Sequence, residues 1–216
     1  MGYIQNFALK QRYGGNQMIK KAVIPAAGYG TRFLPITKAL PKELLPIIDR
    51  PTIEYIVNEA IESGITDILL IVSSNKNAII DYFDYNLELE TILLSKNKTE
   101  EYALVRNIAQ GVNIHYIRQR EQLGLGHAVL QAEAFVGNEP FAILLGDDMY
   151  VGKDKPAIKQ LMDAYDNLQA SVLGTMEVEL KNTSKYGICI PKENAIKPYI
   201  ELKGVVEKPK VEEAPS

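Results

Sequence analysis

Residues 22–32 read Ala22-Val23-Ile24-Pro25-Ala26-Ala27-Gly28-Tyr29-Gly30-Thr31-Arg32. The apolar and β-branched residues at the start of this stretch predict a buried strand, and the small residues that follow predict a loop. Glycine and alanine in such a loop leave backbone N–H groups open to close approach by a ligand. Arg32 adds a planar guanidinium that suits phosphate oxygens. The stretch therefore predicts a loop that binds a nucleotide through its phosphates.

The glycine spacing separates this loop from two better-known phosphate loops. A dinucleotide-binding fingerprint has a third glycine three residues after the second, where this chain has Phe33, which disfavours an NAD-dependent Rossmann enzyme. The Gly-Lys-Ser/Thr end of a P-loop is also missing from this loop. Gly28 and Gly30 alone would equally fit an ordinary β-to-α turn.

Length and composition limit the class of protein. The chain has 216 residues, 46% hydrophobic and 24% charged, which is typical of a soluble globular protein. We expect a domain over residues 18–216 and interpret residues 1–17 as an extension or disordered arm. A net charge of −3 favours neither nucleic acid nor an anionic membrane as a partner. No apolar stretch reaches the roughly 18 residues that a bilayer-spanning helix needs.

The lone cysteine, Cys189, excludes an intramolecular disulfide framework and fits a reducing cytoplasm. It lies in a strand-like run, where a small buried residue is expected rather than a catalytic thiol. With only two histidines, a zinc site of Cys and His ligands is excluded.

Hydrophobic periodicity predicts an α/β fold with strands over 21–25, 67–73, 112–118 and 141–145, and helices between them. We expect a doubly wound, mostly parallel, Rossmann-like sheet with its ligand at the carboxyl ends of the strands. Asp49 is predicted to cap the helix that Gly64 ends, and Asp154 to cap a later one. Apolar runs at 186–191 and 199–206, around a turn at 192–194, predict an antiparallel hairpin near the C-terminus.

Two further segments carry charges that would meet the glycine loop at that edge. Lys38 and Lys42 lie in a loop bounded by prolines. Such a loop either serves a function or is ordinary solvent-exposed surface. Asp147 and Asp148 directly follow a predicted strand, a position that suits a carboxylate ligand of Mg²⁺. A capped turn is the alternative for the aspartates.

Polar groups at two other segments predict contacts with a base and a sugar. The Gln119 amide both donates and accepts, so it could read a pyrimidine edge, and Gly124 permits close packing of a base. An ordinary connecting loop is the alternative there. Glu207 and Lys208, before a proline, could hold sugar hydroxyls and a sugar phosphate, or form an exposed salt bridge.

Taken together, these motifs are far more specific than any one of them. The segments PAAGYGTRFLP (25–35), PKELLP (41–46), RQ (118–119) with GLGHA (124–128), GDD (146–148) and EKP (207–209) closely resemble the bacterial UTP–glucose-1-phosphate uridylyltransferase family. The resemblance runs in the family's order from Met18 to Ser216. It implies transfer of a uridylyl group from UTP to glucose 1-phosphate, with Mg²⁺ as cofactor. It also implies a cytoplasmic homo-oligomer of carbohydrate metabolism.

The resemblance implies a role for each matching residue. Those around the uracil would be Ala27, Gly28, Glu43, Gln119 and Gly124, with Gly30 and Thr31 in the same nucleotide-binding loop. The catalytic cations would be Arg32 and Lys42 on the triphosphate and Lys208 on the sugar phosphate. Glucose would contact Gly187 and Glu207, and Mg²⁺ would bind Asp147 with Asp148 beside it.

One departure from the family pattern concerns the C-terminus. Family members continue past Glu-Lys-Pro and supply another metal-binding aspartate, so we expect this chain to be truncated after Ser216. A non-catalytic uridine-nucleotide-binding module is therefore an alternative function. A related sugar-1-phosphate thymidylyltransferase is another, although those enzymes carry a different residue at the position of Glu43.

Overall fold

The computed structural model describes residues 5–9, 18–192 and 199–216. The strands are β1 (Gln5–Leu9), β2 (Lys21–Pro25), β3 (Pro46–Ile47), β4 (Arg50–Pro51), β5 (Asp67–Val72), β6 (Asn113–Arg118), β7 (Phe141–Ile143), β8 (Ser171–Thr175), β9 (Gly187–Pro191) and β10 (Tyr199–Glu207). The α-helices are α1 (Thr52–Glu62), α2 (Asn77–Phe83), α3 (Leu87–Ser95), α4 (Thr99–Arg106), α5 (Leu125–Leu130), α6 (Glu133–Val136) and α7 (Ala157–Leu168). Short 3-10 helices cover Thr31–Phe33, Ile36–Lys38, Lys42–Leu44, Leu180–Lys185 and Val211–Glu213.

The chain forms two compact units, which are described separately. The first unit is residues 17–158, and the second comprises residues 1–16 and 159–216. The first unit contains a parallel sheet in the order β6-β5-β2-β7. This confirms the predicted, mostly parallel α/β sheet. Because the four strands run in the same direction, their carboxyl ends lie along one edge, and the segments after residues 25, 72, 118 and 143 emerge there.

The two central strands of this sheet, β2 and β5, are buried on both faces. On one face, alternate residues of β2 and β5 pack against α5 and α6, in a cluster of Val23, Leu69, Ile71, Ala128, Ala132 and Val136. The residues between them on the same strands, Ala22, Ile24, Ile68 and Leu70, point to the opposite face and are fully buried as well. Burial on two faces explains the unbroken apolar run of β5 and confirms the doubly wound class.

The start of α1 differs from the prediction. Asp49 does not cap the helix, because residues 46–51 form the small β3–β4 hairpin and place Asp49 in its turn. The helix begins at Thr52 after Pro51, and the Thr52 N–H and hydroxyl both donate to the Leu45 carbonyl, at 3.1 and 2.9 Å. Gly64 follows the helix end with a φ of 88°, as a terminating glycine should.

Other boundaries shift without changing the architecture. The helical region expected between β5 and β6 consists of α2, α3 and α4, and the one expected between β6 and β7 is divided into α5 and α6. The helix after Asp154 begins at Ala157, three residues later, so the prediction that Asp154 caps it is wrong. Strand β7 ends at Ile143, yet the Leu144 and Gly146 N–H groups still donate to the Val23 and Pro25 carbonyls of β2, at 3.1 and 3.2 Å. The chain after β7 therefore stays close to β2.

The second unit contains a mixed sheet in the order β8-β1-β10-β9. Strands β9 and β10 pair antiparallel, with Gly187 opposite Glu207, which confirms the predicted hairpin. Of the turn predicted at 192–194, residues 193 and 194 lie outside the described residues. Strand β1 pairs with β8 and β10, and the interpretation of residues 1–17 as an extension stays a prediction. Among the helices of the described segments, none is both long and apolar enough to cross a bilayer.

Candidate functional site

The loop after β2 is held open at the carboxyl edge of the parallel sheet. The Ala26 N–H donates to the Ile71 carbonyl at 2.8 Å, whereas Gly28 and Tyr29 are exposed. Gly30 has a φ of 67°, and a Cβ there would lie 3.2 Å from side-chain atoms of both Lys42 and Thr37. Glycine adopts this turn without strain, whereas a side chain would crowd Lys42 and Thr37. Thr31 and Arg32 follow in an exposed 3-10 helix.

Lys42 joins the glycine loop to an acidic residue. Its ammonium donates to the Asp147 carboxylate after β7, and both side chains are partly exposed, at 16% and 33%. A Cβ at Gly28 would lie 3.8 Å from the Lys42 Nζ atom. The ammonium therefore stands beside both the open loop and the carboxylate. The structure thus brings together Gly28, Lys42 and Asp147, three residues predicted to contact nucleotide or metal.

Glu43, next to Lys42, forms a buried ion pair with Lys76. The Lys76 ammonium lies 2.8 and 2.7 Å from the two carboxylate oxygens of Glu43, and the side chains are only 4% and 1% exposed. Lys76 follows β5, so the pair connects the segment after that strand to the 3-10 helix Lys42–Leu44. The two adjacent ion pairs fix this 3-10 helix to the segments that follow β5 and β7.

Burial opposes charge on both members of this pair. Desolvation raises the pKa of the Glu43 carboxyl and lowers the pKa of the Lys76 ammonium, while the charge of each partner acts against the shift of the other. Lys42 also stabilises the Glu43 carboxylate, and Asp147 the Lys76 ammonium. We therefore treat Lys42, Glu43, Lys76 and Asp147 as one electrostatic group of two cations and two carboxylates.

Gly146 allows this group to assemble. A Cβ at this position would lie 3.0 Å from the Pro25 carbonyl oxygen, 3.3 Å from the Ala26 Cβ and 3.4 Å from the Glu43 Cγ.

Asp148, two residues after Gly146, accepts a hydrogen bond of 3.1 Å from the Tyr150 hydroxyl. Burial, together with Asp148, raises the pKa of Tyr150 to about 12. Asp147 faces Lys42, and Asp148 is engaged with Tyr150.

Gln119 lies at the end of β6, on the same edge of the sheet. Its N–H donates to the Val72 carbonyl at 2.9 Å, and the residue is 5% exposed. The side-chain nitrogen lies 3.4 Å from the Gly124 carbonyl oxygen and 3.0 Å from Nδ1 of His127. The Gln122 amide donates to the Ala27 carbonyl at 2.8 Å. The predicted base-reading segment thus contacts the glycine loop directly.

The remaining predicted residues lie in the second unit. Gly187 and Glu207 are opposite each other on β9 and β10, and a Cβ at Gly187 would lie 3.4 Å from the Glu207 Oε2 atom. The Lys208 ammonium forms an exposed ion pair with Glu207 at 2.9 Å. Lys208 has a φ of 46°, and its N–H donates to the Tyr186 carbonyl at 3.0 Å. The predicted sugar-binding residues are therefore neighbours within this unit.

Sequence reasoning missed Lys76 and Gln122. Lys76 follows β5, so its place at the carboxyl edge of the sheet could be predicted from the sequence, but its burial and its partner could not. Gln122 has no comparable signal, because its partner is a backbone carbonyl 95 positions away.

Fold and site together describe an α/β protein whose parallel sheet presents a glycine loop, a lysine and a carboxylate at its carboxyl edge. Such an arrangement is suited to a phosphorylated ligand. The chain belongs to the nucleotidyl transferase family, whose model matches residues 21–216.

Several characterised proteins are similar to this chain. UTP–glucose-1-phosphate uridylyltransferase YngB of Bacillus subtilis is 57% identical over 198 residues, covering 92% of this chain and 66% of that protein. The enzyme of that name from Mycoplasma pneumoniae is 52% identical over 199 residues, covering 92% and 68%. The UTP-bound UGPase structure from Acinetobacter baumannii superposes with a TM-score of 0.83 at 41% identity, covering 92% and 71%. The chain spans about two thirds of the length of these curated relatives.

Proposed function

We propose that this chain transfers a uridylyl group from UTP to glucose 1-phosphate, giving UDP-glucose and pyrophosphate. The observation that carries the proposal is the Lys42 ammonium, held between the open loop at Gly28 and the Asp147 carboxylate. The uridylyltransferases of B. subtilis and M. pneumoniae, at 57% and 52% identity, support the choice of reaction. They do not favour the thymidylyltransferase alternative.

The reaction needs cations rather than a general base. A phosphate oxygen of glucose 1-phosphate is already anionic; it attacks the α-phosphorus of UTP in line, a new P–O bond forms, and pyrophosphate leaves with the electrons of the broken bond. Repulsion between two anions is the main barrier, so positively charged side chains lower it by positioning and electrostatic stabilisation. Arg32 and Lys42 would bind the triphosphate, and Lys208 the sugar phosphate.

The residues present also fit Mg²⁺. Within the segments that the structure describes, no cluster of three or more His, Cys, Asp or Glu side chains is placed to hold a metal. Mg²⁺ in nucleotide enzymes needs only one or two carboxylates, because substrate phosphates complete its shell. Asp147 is the better placed candidate, because it lies beside Lys42 and the glycine loop, whereas Asp148 accepts from Tyr150. When bound, the ion would neutralise phosphate charge, and Lys42 would exchange Asp147 for phosphate oxygens.

For the base and sugar contacts we propose the residues predicted from the sequence, with a different role for Glu43 alone. Ala27, Gly28, Gln119 and Gly124 would surround the uracil. Both carboxylate oxygens of Glu43 are engaged by buried Lys76, so we assign Glu43 to the support of the 3-10 helix Lys42–Leu44 rather than to side-chain contact with the base. In the second unit, Gly187 and Glu207 would bind glucose.

Pyrophosphate release from UTP and glucose 1-phosphate, measured beside UTP binding by calorimetry, tests the function. We expect both release and binding. Replacing Arg32 with glutamine should lower turnover about 10²-fold, which is typical for the loss of one preorganised charged group. Lys98→Gln, at an exposed cation between α3 and α4, is the control and should leave turnover unchanged. Binding without release would select the non-catalytic module, and near-normal turnover of Arg32→Gln would contradict its role.

The wider setting of the reaction belongs to the same proposal. We expect a cytoplasmic enzyme of carbohydrate metabolism that assembles as a homo-oligomer. Light scattering of the purified chain measures its mass in solution, and a monomer at working concentration would contradict the expected assembly.

A further inference from the structure

The proposed function leaves His127 without a role, although it contacts the predicted base-reading residue. His127 lies in the first turn of α5. Its Nδ1 atom is 3.0 Å from the side-chain nitrogen of Gln119. On the other side of the ring, the Gln131 nitrogen lies 3.3 Å from Nε2 and donates to the His127 carbonyl at 3.2 Å. The imidazole is therefore held between two amides.

The Gly124 carbonyl determines which end of the Gln119 amide, the nitrogen or the oxygen, faces Gly124 and His127. A carbonyl oxygen can only accept, and it lies 3.4 Å from the Gln119 nitrogen. If the Gln119 oxygen lay there instead, it would contact the Gly124 carbonyl oxygen, and the two acceptors would repel each other. The NH₂ group has two hydrogens, and the two acceptors next to it are the Gly124 carbonyl and the His127 ring. The donor capacity of Gln119 is thus fully used within the protein.

The shorter of two contacts indicates the tautomer of His127. A neutral imidazole has one accepting nitrogen and one N–H. The Gln119 nitrogen lies 3.0 Å from Nδ1, closer than the 3.3 Å between the Gln131 nitrogen and Nε2, so we take Nδ1 as the nitrogen that accepts and place the ring hydrogen on Nε2. Among residues 18–192 and 199–216, no donor contacts the Gln119 Oε1 atom. This oxygen is the part of the amide that remains for a ligand.

We propose that His127 is a positioning residue for base selection, which acts by holding Gln119 with its oxygen towards the base. The inference rests on the proposed function. An accepting oxygen pairs with the N3–H of uracil, whereas N3 of cytosine is itself an acceptor and would be repelled. Gln119 is only 5% exposed, so a mismatch there would not be relieved by solvent. The site would therefore take uridine nucleotides and reject cytidine nucleotides.

The ratio of UTP affinity to CTP affinity tests this proposal, because a merely structural role for His127 would weaken both nucleotides alike. His127→Phe keeps a ring but removes the acceptor, so the Gln119 amide can turn. We expect the UTP-to-CTP ratio, measured by calorimetry, to fall about tenfold or more, as for one misplaced hydrogen bond in a buried site. His127→Asn retains an oxygen near the position of Nδ1 and should keep most of the ratio.

His115 provides a matched control. Its side chain is about half exposed, with Nε2 3.6 Å from Asp67, so His115→Phe should leave the ratio unchanged. A folded His127→Phe variant with the full wild-type ratio would overturn the role of His127 alone. A wild-type chain that binds UTP and CTP equally would contradict the proposed function, and the inference with it. Nitrogen NMR of the wild-type ring is a second readout that requires no variant: the Nε2–H tautomer supports the proposal, and the Nδ1–H tautomer overturns it.

Discussion

Two neighbouring residues, Lys42 and Glu43, make ion pairs of very different character. The Lys42–Asp147 pair is partly exposed, and exposed pairs contribute only about 0–1 kcal/mol, so a phosphate can replace Asp147 at little cost. The Glu43–Lys76 pair is almost fully buried. Separating it would leave an uncompensated charge in the interior. We therefore regard the first pair as exchangeable and the second as a fixed support.

The buried pair leads to a stability prediction. Replacing Lys76 with methionine leaves the Glu43 carboxylate buried without its partner, so the free energy of unfolding should fall by about 3–5 kcal/mol. Urea denaturation measures this change. The double variant Lys76→Met/Glu43→Gln removes both charges and should recover much of the loss.

The exposed pair of Lys98 and Glu101 is the matched control. Its side chains are 51% and 48% exposed, so Lys98→Met should leave the free energy of unfolding nearly unchanged. If Lys76→Met costs as little as Lys98→Met, the buried pair does not support the site.

The site is assembled by the segments that follow the parallel strands, and their close approach depends on small residues. The chain after β7 reaches the chain after β2 at Gly146, where a Cβ would lie 3.0 Å from a backbone oxygen. Backbone atoms cannot move aside as a flexible side chain can. Any larger residue must push the Asp147 segment away from the glycine loop.

Gly146→Ala should therefore reduce both stability and nucleotide affinity. We expect the free energy of unfolding to fall by about 1–3 kcal/mol, the usual cost of overpacking, and UTP binding to weaken because the Asp147 segment moves away from the glycine loop. Gly126→Ala is the control for stability alone, which should not fall, since nothing lies within 4 Å of a Cβ there and the residue is helical. Unchanged calorimetric affinity and stability in Gly146→Ala would contradict the close packing of these segments.

Strands were easier to predict than the contacts at their ends. Burial on two faces gives β5 a continuous apolar run, so its position and its parallel neighbours follow from the pattern. Asp49 was misjudged because two residues on each side pair into a hairpin, which a local capping rule does not detect. Lys76 was missed because its partner is 33 positions away, and a lysine in sequence gives no sign of burial. The proximity of the glycine loop, Lys42 and Asp147 could be predicted because each lies in a local motif near the end of a predicted strand.

The molecule as a whole divides the proposed chemistry between two units. The first, residues 17–158, holds the glycine loop, Lys42, Asp147 and Gln119 around one edge of a parallel sheet. The second holds Gly187, Glu207 and Lys208 on an antiparallel hairpin. The chain spans about two thirds of the length of its curated relatives. Under the proposed function, the nucleotide contacts would come from residues of the first unit and the sugar contacts from residues of the second.

A crystal structure of the chain soaked with UTP and Mg²⁺ tests the central claim most directly. We predict electron density for the triphosphate against Arg32 and Lys42, with Asp147 facing the phosphates and the uracil at Gln119. UTP bound at another face of the protein, with no contact to Lys42 or Asp147, would contradict the account.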